Sequence, residues 1–351
     1  MQFKDIPQQI HLCNHLSASV DDGRIPHAML LCGAASDGSL AVALAYAQYV
    51  CCEHRQHYDV NSDDQLRADS CGSCPTCRKI DELIHSDLHL LFPTVTGTEA
   101  VKKVHSSVDL MAFFRQFVKD HHAMGTLSEW YDSLDLSGNQ QGLIREQDAD
   151  DVVKALSMKS YEGAYKMVVV WMAEKMNSVC ANKLLKTLEE PTGRTLLLLV
   201  SENTDSMLST VLSRTQIVQV PGDNGNEKWP SEFAPLFVGW MRMLFKLNMQ
   251  SLSRQVDELA AMGREVQKQF LQYCTEMVRL SLMRNMAQSP ESMNTGDARF
   301  DTSFPTMVTV RNAAQLCEAF NDTQYAIERN VNAKIAFMQL SFTLSKLIKN
   351  R

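Results

Sequence analysis

The stretch from Tyr165 to Pro221 constrains the fold more than any other part of the chain. Met167-Val168-Val169-Val170-Trp171-Met172 is a short apolar run and predicts a buried strand. Thr195-Leu196-Leu197-Leu198-Leu199-Val200 predicts a second. Between them lies a helical pattern with a polar start at Asn177-Ser178, apolar positions Ala181, Leu184, Leu185 and Leu188, and a stop at Pro191. Strand, helix and strand within about 35 residues form one crossover unit of a parallel sheet. A third piece, Leu212 to Val218, follows at once.

At 351 residues the chain exceeds what one hydrophobic core usually serves, so two or three domains are expected. Residues 1–23 predict an amphipathic helix through Ile10, Leu12, Leu16 and Val20. Ile25 to Gly33 reads as a buried strand running into a glycine turn, and Ser39 to Tyr49 as a helix. His54 to Ser70 is polar and reads as an exposed insertion. A helix is expected through Ile80–Ile84, a strand over Leu88–Pro93, and a helix over Asp148–Met158. Residues 94–145 read as mostly helical and polar, with a loop near Ser137-Gly138-Asn139.

Pro221 to Asn226 is the clearest linker. Beyond it, Phe233 to Arg284 and residues 305–349 carry Met, Leu and Phe at helical periods, separated by a Pro/Ser/Asn/Gly loop at 288–304. No alternating strand pattern occurs after the linker. The expected fold is therefore an α/β parallel-sheet domain followed by an all-α C-terminal domain.

Gly33-Ala34-Ala35-Ser36-Asp37-Gly38-Ser39-Leu40 lies between a predicted strand and a predicted helix, where a phosphate-binding loop belongs. The pattern asks for G-x-x-x-x-G-K-[ST]. Both glycines keep their spacing, but Ser39 replaces the lysine that reaches the phosphates and Leu40 the hydroxyl that holds magnesium. Asp37 adds negative charge where a polyphosphate would lie. After Met167–Val170 a working ATPase of this type would place an acidic pair for metal and water, and this chain has Trp171 and Met172. The plain alternative for Gly33–Leu40 is a strand-to-helix turn with no link to nucleotides.

The helix Asn182 to Pro191, followed by Ser213-Arg214-Thr215, resembles the helix and the Ser-Arg-Cys motif of bacterial clamp-loader subunits. These are AAA+ proteins that open the sliding clamp of the replicative DNA polymerase, and the delta-prime branch matches in most details. The resemblance covers residues 1–221 well and the remainder loosely. It implies an AAA+ core over 1–221, with a P-loop-type sheet and a zinc module around 52–77, and an all-helical collar for joining subunits over 233–351. Phe237–Arg242 and Gly263–Lys268 are similar to collar segments. The family places a small helical lid before the collar, and here residues 222–232 leave room only for a linker.

The resemblance also implies roles. The Ser-Arg-Cys arginine enters the ATP site of the adjacent subunit, so Arg214, flanked by Ser213 and Thr215, would be a finger supplied in trans. The substitution of Thr215 for Cys leaves the arginine in place. The loop is then vestigial at Gly33, Gly38, Ser39 and Leu40, with ATP neither bound nor hydrolysed by this chain. The implied partners are gamma/tau motor subunits and a delta subunit in a hetero-pentameric ring, and through it the sliding clamp and primer-template DNA. Taken alone, Arg214 reads equally as an ordinary surface arginine. Glu189 and Glu190 put negative charge at a helix C-terminus, against the macrodipole, as a contact elsewhere or a solvated end would.

Of the 10 cysteines, Cys71, Cys74 and Cys77 form C-x2-C-x2-C, a spacing that converges on one tetrahedral ion. In the family a cysteine at the end of the preceding helix completes the set, which implies Cys52. Cys51 and His85 remain competing fourth ligands, and free thiols in a loop are the bland alternative. Four thiolates leave no open position, so the zinc would be structural. Cys13, Cys32, Cys180, Cys274 and Cys317 sit singly in apolar contexts and read as core residues.

A net charge of −7 argues against a surface that embraces nucleic acid throughout. No run approaches the ~18 apolar residues of a membrane span, and Met-Gln-Phe-Lys-Asp is not a signal peptide, so a cytoplasmic protein is expected. Two other readings are an ATP-hydrolysing motor subunit, which Ser39, Leu40, Trp171 and Met172 oppose, and a zinc-containing nucleic-acid-binding protein, which the acidic charge opposes.

Overall fold

A computed structural model describes every residue except 61, 63, 96–103, 105, 135–141, 163, 223–228, 247, 248, 287–294, 350 and 351. The loop expected near Ser137–Asn139, most of the linker and part of the 288–304 loop lie outside the described residues. The chain divides into two compact units, Met1–Leu136 with Gln140–Asn224, and Gly225–Arg351.

In the first unit, α1 (Ile10–Asp21) follows two 3-10 turns instead of beginning at the N-terminus. Asp69 explains the turns: its buried carboxylate accepts from the Phe3 and Lys4 amides at 3.0 Å each. Then come β1 (Ala28–Cys32) and α2 (Ser39–Cys51), the latter buried along its whole length. The supposed exposed insertion contains a small hairpin, β2 (Gln56–His57) and β3 (Ala68–Asp69), whose second strand is buried. The helix α3 (Pro75–Asp81) starts within the cysteine run, with Cys74 as N-cap and Pro75 at the first position. It ends before Leu83, which has φ +53°, so the expected helix through Ile84 is displaced toward the N-terminus.

The strand β4 (Leu88–Leu91) leads into α4 (Met111–Asp120) and α5 (Leu127–Ser133). This region is less polar than its composition implied. Phe114 stacks on Phe92, Trp130 meets Phe92 edge-on, and the Trp130 indole donates to the Pro93 carbonyl at 2.9 Å. α6 (Glu146–Ser157), β5 (Lys166–Val170), α7 (Ser178–Glu189) and β6 (Thr195–Ser201) follow, then α8 (Ser209–Leu212) and β7 (Gln216–Gln219).

The five long strands form one parallel sheet in the order β4-β5-β6-β1-β7. Strand side chains alternate between faces. Met29, Leu31, Met167, Val169, Leu196 and Leu198 pack with α1, α2, α4 and α5 on one face. Leu30, Val168, Val170, Leu197 and Leu199 pack with α6 and α7 on the other. A sheet covered on both faces explains why these strands read as continuous apolar runs.

The second unit is helical in its described residues: α9 (Phe233–Lys246), α10 (Met249–Ala261), α11 (Arg264–Asn285), α12 (Ala298–Ser303), α13 (Ala313–Glu328) and α14 (Ala333–Lys349). α12 lies where a loop was expected. The unit has its own core, in which Trp240 lies against Phe270 and Phe337 and donates to Ser341 Oγ at 2.9 Å. No helix among the described residues is long and apolar enough to cross a membrane.

Candidate functional site

At the C-terminal end of β1 the backbone turns through Gly33–Gly38 into α2. A Cβ on Gly33 would lie 2.7 Å from the Val220 carbonyl oxygen, so only glycine fits there. Gly38 has φ +82°, the left-handed conformation that starts α2. Ser39 is fully buried and donates to the Gly33 carbonyl at 3.1 Å, and Leu40 is buried in the core.

A phosphate-binding loop works by offering free amide hydrogens to the anion. Here the Ala34 amide donates to Asp37 Oδ2 at 3.2 Å and the Ala35 amide to Glu202 Oε1 at 3.1 Å. Asp37 was visible as a charge in the sequence. Glu202 was not, because it reaches the loop from the far end of β6, 167 residues away along the chain. Trp171 and Met172, at the positions of the acidic pair, are buried. Trp171 packs on Phe114 and Phe117 at 5.5 and 5.6 Å between ring centroids.

Arg214 lies in the turn between α8 and β7. Its Nε donates to Glu189 Oε1 at 2.7 Å, and Nη2 lies 2.7 Å from the same oxygen. Nη1 donates to the Thr210 carbonyl at 2.9 Å and to Ser213 Oγ at 3.1 Å. The Arg214 and Glu189 side chains are 36% and 49% exposed. The carboxylate at the end of α7 therefore has a partner within its own chain, which the sequence did not reveal. The Thr215 hydroxyl turns inward, donating to the Val211 carbonyl at 3.2 Å.

The sulfurs of Cys52, Cys71, Cys74 and Cys77 all lie within 4.8 Å of one another, and those of Cys71 and Cys77 are 3.9 Å apart. Four thiolates at a Zn–S distance of about 2.3 Å would have tetrahedral edges of about 3.8 Å, so the donor set fits zinc with little movement. The amides of Cys71, Cys74 and Cys77 donate to the sulfurs of Cys52, Cys71 and Cys74 at 3.2, 3.3 and 3.4 Å. Burial raises the Cys52 and Cys77 thiols. Burial also pushes Cys71 up, but hydrogen bonds from the Ser73 and Cys74 amides outweigh it and bring that thiol down to about 6. Cys51 points elsewhere, with its sulfur 3.4 Å from Met167 Sδ. His85 Nδ1 accepts from the Asp87 amide at 3.1 Å, and the imidazole is not part of the cluster.

A family model described as DNA polymerase III, delta subunit matches residues 8–224. The chain belongs to this family. The match takes in the loop, the four cysteines and Arg214. DNA polymerase III subunit delta' of Pseudomonas aeruginosa is 28% identical over 211 residues, 60% of this chain and 48% of that protein. The protein of the same name from Bacillus subtilis is 26% identical over 199 residues, 56% of this chain and 43% of its own. The chain thus spans about half the length of the curated relatives it matches. A DNA polymerase III gamma subunit-related protein from Thermotoga maritima aligns over 95% of this chain and 98% of its own, at 15% identity and a TM-score of 0.35, too low to carry an argument.

Proposed function

We propose that this chain is a sliding-clamp-loader subunit that does not hydrolyse ATP itself and supplies Arg214 to the ATP site of a neighbouring subunit. Its partners would be motor subunits of the gamma/tau kind and a delta subunit in a hetero-pentameric ring, with the residues from about 233 onward as the collar. The ring would act on the sliding clamp and primer-template DNA. The observation that carries the reading is the loop after β1, whose Ala34 and Ala35 amides are already given to Asp37 and Glu202. With Ser39 and Leu40 where lysine and a hydroxyl would serve, and Trp171 and Met172 in the core, the charges that stabilise phosphoryl transfer are missing from this chain. A subunit of this kind contributes to turnover by completing another's site, and Arg214, a half-exposed cation, would supply the charge.

Cys52, Cys71, Cys74 and Cys77 would hold a structural zinc ion. The ion would tie the end of α2 to the start of α3 and leave no coordination position for chemistry.

The test is ATP turnover of the loader reconstituted with wild-type chain and with Arg214→Ala, in the presence of clamp and DNA. We expect the variant to assemble normally by gel filtration and to lower kcat by about tenfold or more. Unchanged turnover in an intact assembly would remove the finger role. Hydrolysis by the isolated chain would favour the motor-subunit reading instead.

A further inference from the structure

The guanidinium of Arg214 is not held out toward a neighbour. Each of its nitrogens is engaged within its own chain: Nε and Nη2 with Glu189 Oε1, and Nη1 with Thr210 and Ser213. A finger works through those same hydrogens, aimed at the oxygens of a transferring phosphoryl group. Its present bonds commit four of the five guanidinium hydrogens, so it must give some of them up to grip a phosphoryl group with a pair of bonds.

We propose that Glu189 is a latch that keeps Arg214 folded back on its own chain until the neighbour's phosphoryl oxygens replace the carboxylate. The inference rests on the trans-finger reading above and adds a restraint on it. Three observations support it. First, Glu189 is the last residue of α7, where a carboxylate opposes the helix dipole. Arg214 offsets that charge, so releasing the arginine leaves Glu189 uncompensated and sets a threshold for release. Second, both side chains are more than one-third exposed, so the contact lies where water and an incoming anion can reach it. Third, the remaining ties are one carbonyl and one hydroxyl, neutral acceptors that a phosphoryl group with more charge and more oxygens can outcompete. The exchange swaps one set of hydrogen bonds for another and transfers no group to or from Glu189. Glu189 is thus a positioning residue that acts through Arg214.

Two measurements test this, one of which does not depend on the finger reading. In the isolated chain, the Arg214 side-chain Nε–H resonance, assigned by its loss in Arg214→Lys, should be protected from exchange. In Glu189→Gln it should exchange at least about tenfold faster, since the charge-assisted bond is lost. Equal protection in the two proteins would overturn the latch. In the reconstituted loader without clamp, Glu189→Gln should raise kcat for ATP by about threefold or more with KM unchanged, because ATP binds on the neighbour. Glu189→Asp, which keeps the charge, should restore most of the restraint. A kcat that is unchanged or lowered in Glu189→Gln would mean that the carboxylate does not hold the finger back, and would overturn the proposal. If Arg214→Ala were also silent in the clamp-stimulated assay while the resonance was protected, the intrachain contact would stand. The finger reading would then have failed, and the regulatory role of Glu189 with it.

Discussion

Two carboxylates decide what the Gly33–Leu40 loop can offer. Asp37 and Glu202 accept the hydrogens that a bound phosphate would need, and each accepted bond costs an incoming anion both a donor and a repulsive charge. The cysteines show the opposite arrangement, sulfurs gathered where backbone amides favour thiolate. If the four hold zinc, Cys77→Ser should abolish a stoichiometry of about one ion per chain, and chelation should do the same to the wild type. Loss of a tightly held ion costs about 4 kcal/mol at a ligand concentration near a thousand times Kd. For a unit of this size that lowers Tm by about 10 °C. Metal analysis together with thermal melts checks this. Four readily titrated thiols in a metal-free wild type with an unaltered melt would dismiss the ion. At this scale the sequence was legible for the C-x2-C-x2-C spacing and for Asp37. It was silent about Glu202 and about the pairing of Glu189 with Arg214, because contacts between distant segments leave no periodicity in the chain.

Elements were legible where their boundaries are chemically marked. α7 is the clearest case. Asn177 caps it by accepting from the Cys180 amide at 2.7 Å, its buried face is Cys180, Ala181, Leu184 and Leu188, and Pro191 follows its end. Asn177→Ala should therefore destabilise the first unit by about 1 kcal/mol. It should also loosen hydrogen exchange in the first turn of α7 before other elements, and unaltered protection there would mean that the cap is dispensable. The start of α3 was missed because its N-cap is Cys74, a residue type that is no usual cap and that carried the metal-ligand reading, which left only Pro75 as a start signal. The β2–β3 hairpin escaped because strands of two residues have no measurable alternation. α4 was read as polar because Phe114, Phe117 and Val118 occupy one narrow face of an otherwise polar helix.

On the scale of the whole molecule, titration near neutrality is unevenly distributed. All 10 histidines fall within the first 122 residues. Burial lowers His85 and His89 below their ordinary value of 6.5, so as pH falls the unfolded chain takes up protons before the folded one does. Their contribution to stability is complete above pH 6.5 and is lost as pH falls below it toward their folded values. Burial raises Glu174 and Asp148, and that has the opposite sign: a cost present at high pH is relieved as these carboxyls protonate. Asp148 is held by the Ser107 and Arg145 amides, whereas Glu174 Oε2 lacks a partner, so Glu174→Gln removes an opposing effect without breaking a bond at that oxygen. In that variant, amides of β4 and β5 should lose hydrogen-exchange protection between pH 7.5 and 5.5, after correction for intrinsic exchange rates. Those of α11 and α13, in a unit that has its own core and contains no histidine, should keep theirs over the same range. The measurement reads each unit separately in the intact chain. An equal loss in both would show that acid acts on the molecule through groups other than the buried histidines, and constant protection in β4 and β5 would show that those histidines remain as easily protonated in the fold as in the unfolded chain.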